Sequence, residues 1–396
     1  MVQKERAMER RIYLDNAATT PLDQEVLEKM LPYYTQAFGN ADSLHSFGRN
    51  AMSGVDYARD TVAEILGAKP KEIYFTSGGT ESDNWAVLGA AAVLKHTEKT
   101  HILLSSVEHD AVYMPAMKLK RQGFDVELLP VNAGGMVEEN ALKERIKPTT
   151  GLVCVMTANN ETGVVQPVQS LSKIARENGA LFFTDAVQGA PYLDIDVGKS
   201  GVDMLSLSAH KFYGPKGVGA LYIKSGVRIE KLIGGGEQER GLRGGTSNVA
   251  AIVGLSAAYQ KARTDMEKNE KQLAELSAYF MQQLREKTAK IDGFAGLVLN
   301  GEGEEKLPSV CNVRFVGVEN TALLFNLDLQ GVCVAAGSAC ASASIKPSHV
   351  LTAMGLDERA AKECIRFSFG KENTKAQIDY AVDKIVQTVK QLVKKA

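Results

Sequence analysis

Through most of the first 255 residues, short apolar runs alternate with helix-sized segments, and that rhythm restricts the chain to an α/β architecture. Ile73-Tyr74-Phe75-Thr76 reads as a strand, followed by the turn Ser77-Gly78-Gly79-Thr80 and a helix starting near Glu81. His101 to Val107, Asp125 to Leu129, Leu152 to Thr157, Ala180 to Thr184, Met204 to Ser208 and Gly219 to Ile223 read as further strands. Val168 to Asn178 is one of the helical segments between them. Apolar strands separated by helices belong in a mostly parallel sheet covered on both faces.

Beyond residue 255 the pattern changes. Leu255, Tyr259, Ala262 and Met266, then Leu273, Leu276, Phe280 and Leu284, mark a long amphipathic helix or a broken pair bridging to a smaller domain. Ser309 to Phe315 and Thr321 to Leu327 read as strands of that domain. Ile378, Val382, Ile385, Val389 and Leu392 form the apolar stripe of a closing helix. With 396 residues, two packed domains are expected: a large one over 15–255 and a small one over 256–396 together with 1–14.

Forty-six basic residues against 47 acidic ones give a net charge of −1, which offers no positive field for direct nucleic-acid binding. The opening MVQKERAMERRIYLDN has charges but no apolar stretch behind them, so it is not a secretory signal. No apolar run reaches the roughly 18 to 20 residues that cross a bilayer, so no membrane association is expected. The five cysteines are odd in number, widely spaced and without a CxxC pair, which suggests neither a metal site nor a disulfide framework. A reducing cytoplasm suits them.

Several polar residues fall where a ligand could be held. Glycines in Ser77-Gly78-Gly79-Thr80 leave backbone N–H groups and the Thr80 hydroxyl at a helix start, which suits either a plain tight turn or a phosphate. Asp185 follows the run Ala180 to Thr184, and Ser208-Ala209-His210-Lys211 follows the next strand. Both belong at the carboxyl edge of an open sheet, where ligands collect. They form an ion pair, or a cofactor site in which Lys211 makes a Schiff base and Asp185 keeps a pyridine nitrogen protonated. His109 closes another strand and could stack on such a ring; Asn160 and Gln188 could donate to its oxygen, and Thr246 could add a hydroxyl to a phosphate. Cys340 stands apart from the other thiols. Cys154, within Leu152 to Met156, reads as a buried small hydrophobe, as do Cys311, Cys333 and Cys364. Cys340 instead sits among small residues without apolar periodicity, in a loop over about 334–345 that reads as mobile, where a thiol can serve as a reagent.

Taken together, the chain resembles the class I cysteine desulfurases of the NifS/IscS type, fold-type-I pyridoxal-phosphate (PLP) enzymes of the class V aminotransferase family. The resemblance runs in order through LDNAATTP from Leu14, TSGGTESDN from Thr76, Glu108-His109, NNETG from Asn159, Asp185 to Gln188, and SAHKFYGPKG from Ser208. It continues through Gly234-Gly235-Gly236, RGGT from Arg243, GSAC from Gly337 and Ile365-Arg366-Phe367-Ser368. It implies a fold-type-I transferase: a mostly parallel central sheet covered by helices in a large PLP-binding domain, with a smaller α+β C-terminal domain carrying the cysteine loop. It also implies pyridoxal 5'-phosphate as cofactor, with Lys211 as the Schiff-base lysine, Asp185 at the ring nitrogen, His109 on the ring face, and Asn160 and Gln188 near the ring oxygen. Gly79, Thr80, Ser208 and His210 would cup the phosphate, with Thr246 arriving from the partner subunit of a homodimer. Arg366 would clamp the substrate carboxylate, with Asn16 beside it, and Cys340 would accept sulfur from L-cysteine.

The implied reaction yields L-alanine and a persulfide on Cys340, passed to a sulfur-acceptor protein such as an iron–sulfur scaffold or a tRNA-thiolation carrier. Selenocysteine lyase and PLP-dependent aminotransferase activities share the cofactor residues and stay open as alternatives. The chain departs from its relatives at Ala41-Asp42, at Ala335-Ala336 and at Ala341, none of which removes a catalytic group.

Overall fold

The computed structural model describes residues 11–337 and 347–394. After a short first strand, β1 (Ile12–Tyr13), the chain builds a seven-stranded sheet. Its strands are β2 (Ile73–Thr76), β3 (His101–Ser105), β4 (Asp125–Leu129), β5 (Thr150–Cys154), β6 (Leu181–Asp185), β7 (Met204–Ser208) and β8 (Gly219–Ile223). The spatial order is β2-β8-β7-β6-β5-β3-β4. β7, β6, β5, β3 and β4 pair in parallel, whereas β8 lies antiparallel to both its neighbours. Of these seven strands, only β8 runs backward.

Two-sided burial follows from the alternation along each strand. Leu103, Val153, Phe182 and Leu205 point into one core, where the helices Ser46–Leu66, Val168–Glu177 and Val249–Thr264 pack. Ile102, Leu104, Leu152, Phe183 and Met204 point the other way, against Trp85, Ala86 and Ala90 of the helix Gly79–Leu94 and Val112 and Ala116 of the helix Asp110–Arg121. Ser46–Leu66 is a helix because Ala51, Val55, Ala58, Val62 and Leu66 recur on one buried face, and it stops at Gly67, whose φ of 65° closes the last turn.

The later residues form a second, smaller core. β9 (Leu297–Leu299), β10 (Val310–Phe315) and β12 (Cys364–Ser368) make an antiparallel sheet in the order β12-β10-β9, and β11 (Val332–Cys333) pairs in parallel with β1. The helices Met266–Thr288 and Lys375–Val393 cover them with Leu273, Phe280, Leu284, Ile378, Val382, Ile385 and Val389. The amphipathic stretch from Leu255 is a broken pair, since Asp265 separates the helix Val249–Thr264 from the helix Met266–Thr288. One expectation is corrected: Thr321 to Leu327 is not a strand but lies in the helix Asn320–Leu329. An apolar run carries no period to separate the two, and the Leu- and Ala-rich composition, with Leu323 and Leu327 buried one turn apart, favours the helix. Among the described residues no helix is long and apolar enough to cross a membrane.

Phe280 is fully buried, with its ring centroid 4.8 Å from that of Phe367 and 5.4 Å from that of Phe369. Phe280→Ala is expected to lower the unfolding free energy by about 3–5 kcal/mol, read from the urea midpoint of the purified protein.

Candidate active site

Parallel strands deliver their carboxyl ends to one edge of the sheet, and a cavity of about 180 Å³ opens there. It is lined by Gly79 and Thr80 after β2, His109 after β3, Asn160 after β5, Asp185 and Gln188 at the end of β6, and Ser208, His210 and Lys211 at the end of β7. Arg366, from β12 of the smaller sheet, closes it.

After β2, the Thr76 and Ser82 hydroxyls bond at 2.7 Å and the chain turns through Gly78 into the helix Gly79–Leu94. A side chain at Gly79 would put its Cβ 2.7 Å from Val187 Cγ2, so the backbone approaches the next loop closely only because that position is glycine. Gly78 supplies no side-chain cap, so the first-turn N–H groups remain available to an anion beside Thr80, Ser208 and His210. Burial, with Lys211 and Lys216 nearby, pushes His210 down to about 4, so it meets such an anion as a neutral imidazole.

His109 caps the helix Asp110–Arg121, its Nδ1 accepting from Ala111 N at 3.1 Å, which places the neutral ring's proton on Nε2. Asn160 is aimed by its neighbour: Asn159 Oδ1 accepts from the Glu161 and Thr162 backbone N–H groups at 2.9 and 3.0 Å and folds the loop. Asp185 Oδ1 accepts from Val187 N at 2.8 Å. Burial pushes the Asp185 carboxyl up, opposed by His109, the Val187 N–H, Lys211 and Ser206. Lys211 Nζ donates to Ala17 O at 2.5 Å and Ala18 O at 2.8 Å, so the segment from Leu14 holds the amine in place. Arg366, 1% exposed, donates from Nη1 to Asn160 O at 3.1 Å and from Nη2 to Asp15 Oδ1 at 2.7 Å, while its buried Nε has no hydrogen-bond partner among the described residues.

Two of the expected residues stand elsewhere. Asn16 is buried behind the wall, its Nδ2 donating to Ser368 O at 3.0 Å and to Asn373 Oδ1 at 3.4 Å. Thr246 lines a separate cleft with Ser77, Glu239 and Arg243. Cys340 lies outside the described residues, as does most of the loop expected around it, but the chain on either side is anchored at the cavity. Ala335 exchanges two backbone hydrogen bonds with Arg366, Ser348 Oγ donates to Glu161 Oε2 at 2.7 Å, and His349 Nε2 lies 2.9 Å from Glu108 O. The other thiols are poor reagents: burial pushes Cys311 and Cys364 up to about 11 and raises Cys154 and Cys333 too.

Sequence reasoning passed over two buried acids. Asp83 lines the cavity, and Glu108 lies beneath it, with Oε1 accepting from Ser105 Oγ and Met156 N at 2.7 Å each. A carboxylate one turn after Thr80, amid the small and apolar residues of a buried helix, was the available signal for Asp83.

A model of the aminotransferase class-V family matches residues 12–381. The chain belongs to that family. A class-V relative, cysteine desulfurase IscS of Dictyoglomus turgidum, is 45% identical over 385 residues, covering 97% of this chain and 96% of that one. Among solved structures, a NifS-like protein superposes with a TM-score of 0.88 at 37% identity, covering 95% of this chain and 98% of its own. SspA, solved in complex with cysteine, superposes with a TM-score of 0.77 at 38% identity over 90% of this chain and 98% of its own. The class-V chain therefore has the fold-type-I architecture of these neighbours.

Burial pushes Glu108 up to about 8 against an ordinary value of 4.5, with Asp185 adding to the rise and Ser105 and Met156 opposing it. The folded protein therefore holds a proton that the unfolded chain loses as pH rises from about 4.5, so Glu108 costs stability progressively up to about pH 8. Glu108→Gln should remove this loss. Its stability relative to the parent, measured in urea, should rise across that window by a few kcal/mol (order of magnitude) and level off above it.

Proposed function

We propose that this chain is a cysteine desulfurase, converting L-cysteine to L-alanine and passing the sulfur onward as a persulfide of Cys340. The observation that carries the proposal is one cavity lined by an amine, Lys211, a buried carboxylate, Asp185, an imidazole, His109, and a guanidinium, Arg366, in a chain 45% identical to a relative named for that activity. The residues fit pyridoxal 5'-phosphate, the cofactor general to the class-V family. An uncapped helix start with Thr80, Ser208 and neutral His210 suits the phosphate, and Asp185 suits a protonated ring nitrogen. When bound, the cofactor supplies an electron sink for the carbon that loses its proton.

The chain's own groups do the rest. Lys211 holds the cofactor through Nζ and, once displaced, moves the substrate Cα proton, within reach of the site where Ala17 and Ala18 park the amine. Arg366, fixed by Asp15 and Asn160, receives the substrate carboxylate. His109 presents Nε2 for a proton at the ring face. The Cys340 sulfur attacks the substrate sulfur: an S–S bond forms, the Cβ–S bond breaks, and Cβ keeps the electron pair and takes a proton, becoming the methyl of alanine. A thiol near its reference pKa of about 8.5 is only a few per cent ionised at neutral pH, so a base in the cavity must take its proton.

The larger unit built on the seven-stranded sheet binds the cofactor, and the smaller C-terminal unit brings Arg366 and Cys340 to it. The enzyme works as a homodimer in the cytoplasm. Thr246, outside its own chain's cavity, serves the partner's phosphate site, and the exposed Tyr34, Phe38, Leu44, Phe47 and Tyr57 supply apolar surface for pairing. The persulfide goes to an acceptor protein such as an iron–sulfur scaffold or a tRNA-thiolation carrier.

Anaerobic incubation with L-cysteine should give alanine without any keto-acid acceptor, and a persulfide mapping to Cys340. Cys340→Ala should keep the bound cofactor and lose both persulfide and sulfide release. Alanine formation that depends on a keto acid would make the enzyme an aminotransferase instead. Separately, Arg366→Ala should raise the KM for cysteine by about 100-fold, a loss of roughly 2.7 kcal/mol; an unchanged KM would put the carboxylate clamp elsewhere.

A further inference from the structure

Asp83 lies in the first turns of the helix Gly79–Leu94, 1% exposed, and its Oδ1 has no hydrogen-bond partner among the described residues. Carboxyl oxygens of Asp83 and Asp185 and a ring nitrogen of His109 all lie within 4.8 Å of one another. Between the two acids stands Ser206, fully buried on β7 and paired across the strands with Asp185. Its Oγ is 3.5 Å from Asp185 Oδ1 and close enough to Asp83 to act on that carboxyl as well.

Two carboxyls this near, away from water, cannot both carry charge, so the pair holds one proton between them. The surroundings decide where it sits. Asp185 faces His109 and Lys211 and accepts the Val187 N–H, all of which favour its ionised form. Asp83 shares the nearby His109 nitrogen but faces the acids Asp185 and Glu108, opposed by the Ser206 hydroxyl, and has neither the lysine nor the backbone N–H that Asp185 has. Cys154, a further titratable neighbour, is pushed up by burial first and then by Glu108 and Asp83, so it stays a neutral thiol. The proton therefore belongs on Asp83. A hydroxyl has one proton to give: when Ser206 points it at Asp185, its oxygen is left to accept from Asp83.

We propose that Asp83 is a positioning residue that works as a neutral carboxylic acid, donating to Ser206 so that the Ser206 hydroxyl donates to Asp185 and keeps it ionised toward the cofactor nitrogen. This rests on the placement of Asp185 at the ring nitrogen made above. In this role Asp83 acts through Ser206, setting the charge of the group that faces the ring nitrogen.

Two readouts test it on the PLP-loaded enzyme near neutral pH. By infrared spectroscopy, the parent should show buried carboxylic-acid C=O absorption, of which Asp83→Asn removes one component and Glu108→Gln another. The visible band of the bound cofactor is then titrated against pH. Asp83→Asn, whose amide can still donate to Ser206, should keep the parent midpoint. Asp83→Val, of similar size but without a donor, should move it by about one unit or more, and Ser206→Ala should move it in the same direction. If the Asp83→Val protein fails to fold, Ser206→Ala carries the comparison.

No acid component lost on Asp83→Asn would mean that Asp83 is ionised and would overturn the proposal. So would a midpoint displaced as far by Asp83→Asn as by Asp83→Val or Ser206→Ala, or displaced by none of them. The infrared signal reads Asp83 itself, whatever reaction the enzyme catalyses. A failure here is therefore distinct from a failure to release alanine from cysteine.

Discussion

Parallel pairing of β7, β6, β5 and β3 sends the carboxyl end of each strand to the same edge of the sheet, and every other feature of the site follows from that constraint. Side chains separated by more than a hundred residues, such as Thr80 and Lys211, line one cavity because their strands end side by side. β2 joins the group although it lies at the far edge: β8, antiparallel to both β2 and β7, restores the direction, so β2 again points its carboxyl end at the site. The same edge receives Arg366 from a different sheet, and the bonds from its guanidinium to Asp15 and Asn160 tie the two sheets together there.

Burying so many ionisable groups at one edge is expensive unless each is answered. The structure answers the cations with carbonyls and a carboxylate: Ala17 and Ala18 receive the Lys211 ammonium, and Asp15 receives Arg366. The acids below the cavity are answered mostly by protons. Glu108 is held neutral around pH 7 by its dry surroundings, and Asp83 is pushed far up by burial and by Asp185. Asp185 alone among them has cationic neighbours, His109 and Lys211, to lower it. Three carboxyl groups of the same chemistry thus hold their protons with different strength, set by what each one faces.

The strands of the large sheet were legible because each is short, apolar and bounded by turn residues; Ile73–Thr76, Asp125–Leu129, Met204–Ser208 and Gly219–Ile223 fall where the pattern puts them. Thr321 to Leu327 failed for the opposite reason. An apolar run with no period cannot say whether it winds as a helix or extends as a strand, and packing decided for the helix. The cavity residues were legible as motif members, and nine of the ten expected to hold the cofactor line one cavity, while Thr246 sits in another cleft. Asn16, in contrast, spends its amide on Ser368 and Asn373, a pairing that joins residues some 350 positions apart and leaves no local trace.

What the sequence alone determined is local or ordered: strand–helix alternation, the glycines at tight turns, the identity of the amine, carboxylate, imidazole, guanidinium and thiol, and their succession along the chain. Those are properties of neighbouring residues, and short-range sterics and periodicity express them directly. The tertiary structure decided which of these groups meet and in which charge state. Asp83 is an ordinary helix carboxyl until β6 and β7 bring Asp185 and Ser206 against it. Its proton then depends on desolvation and on a charge about a hundred residues away, quantities that exist only once the chain is folded.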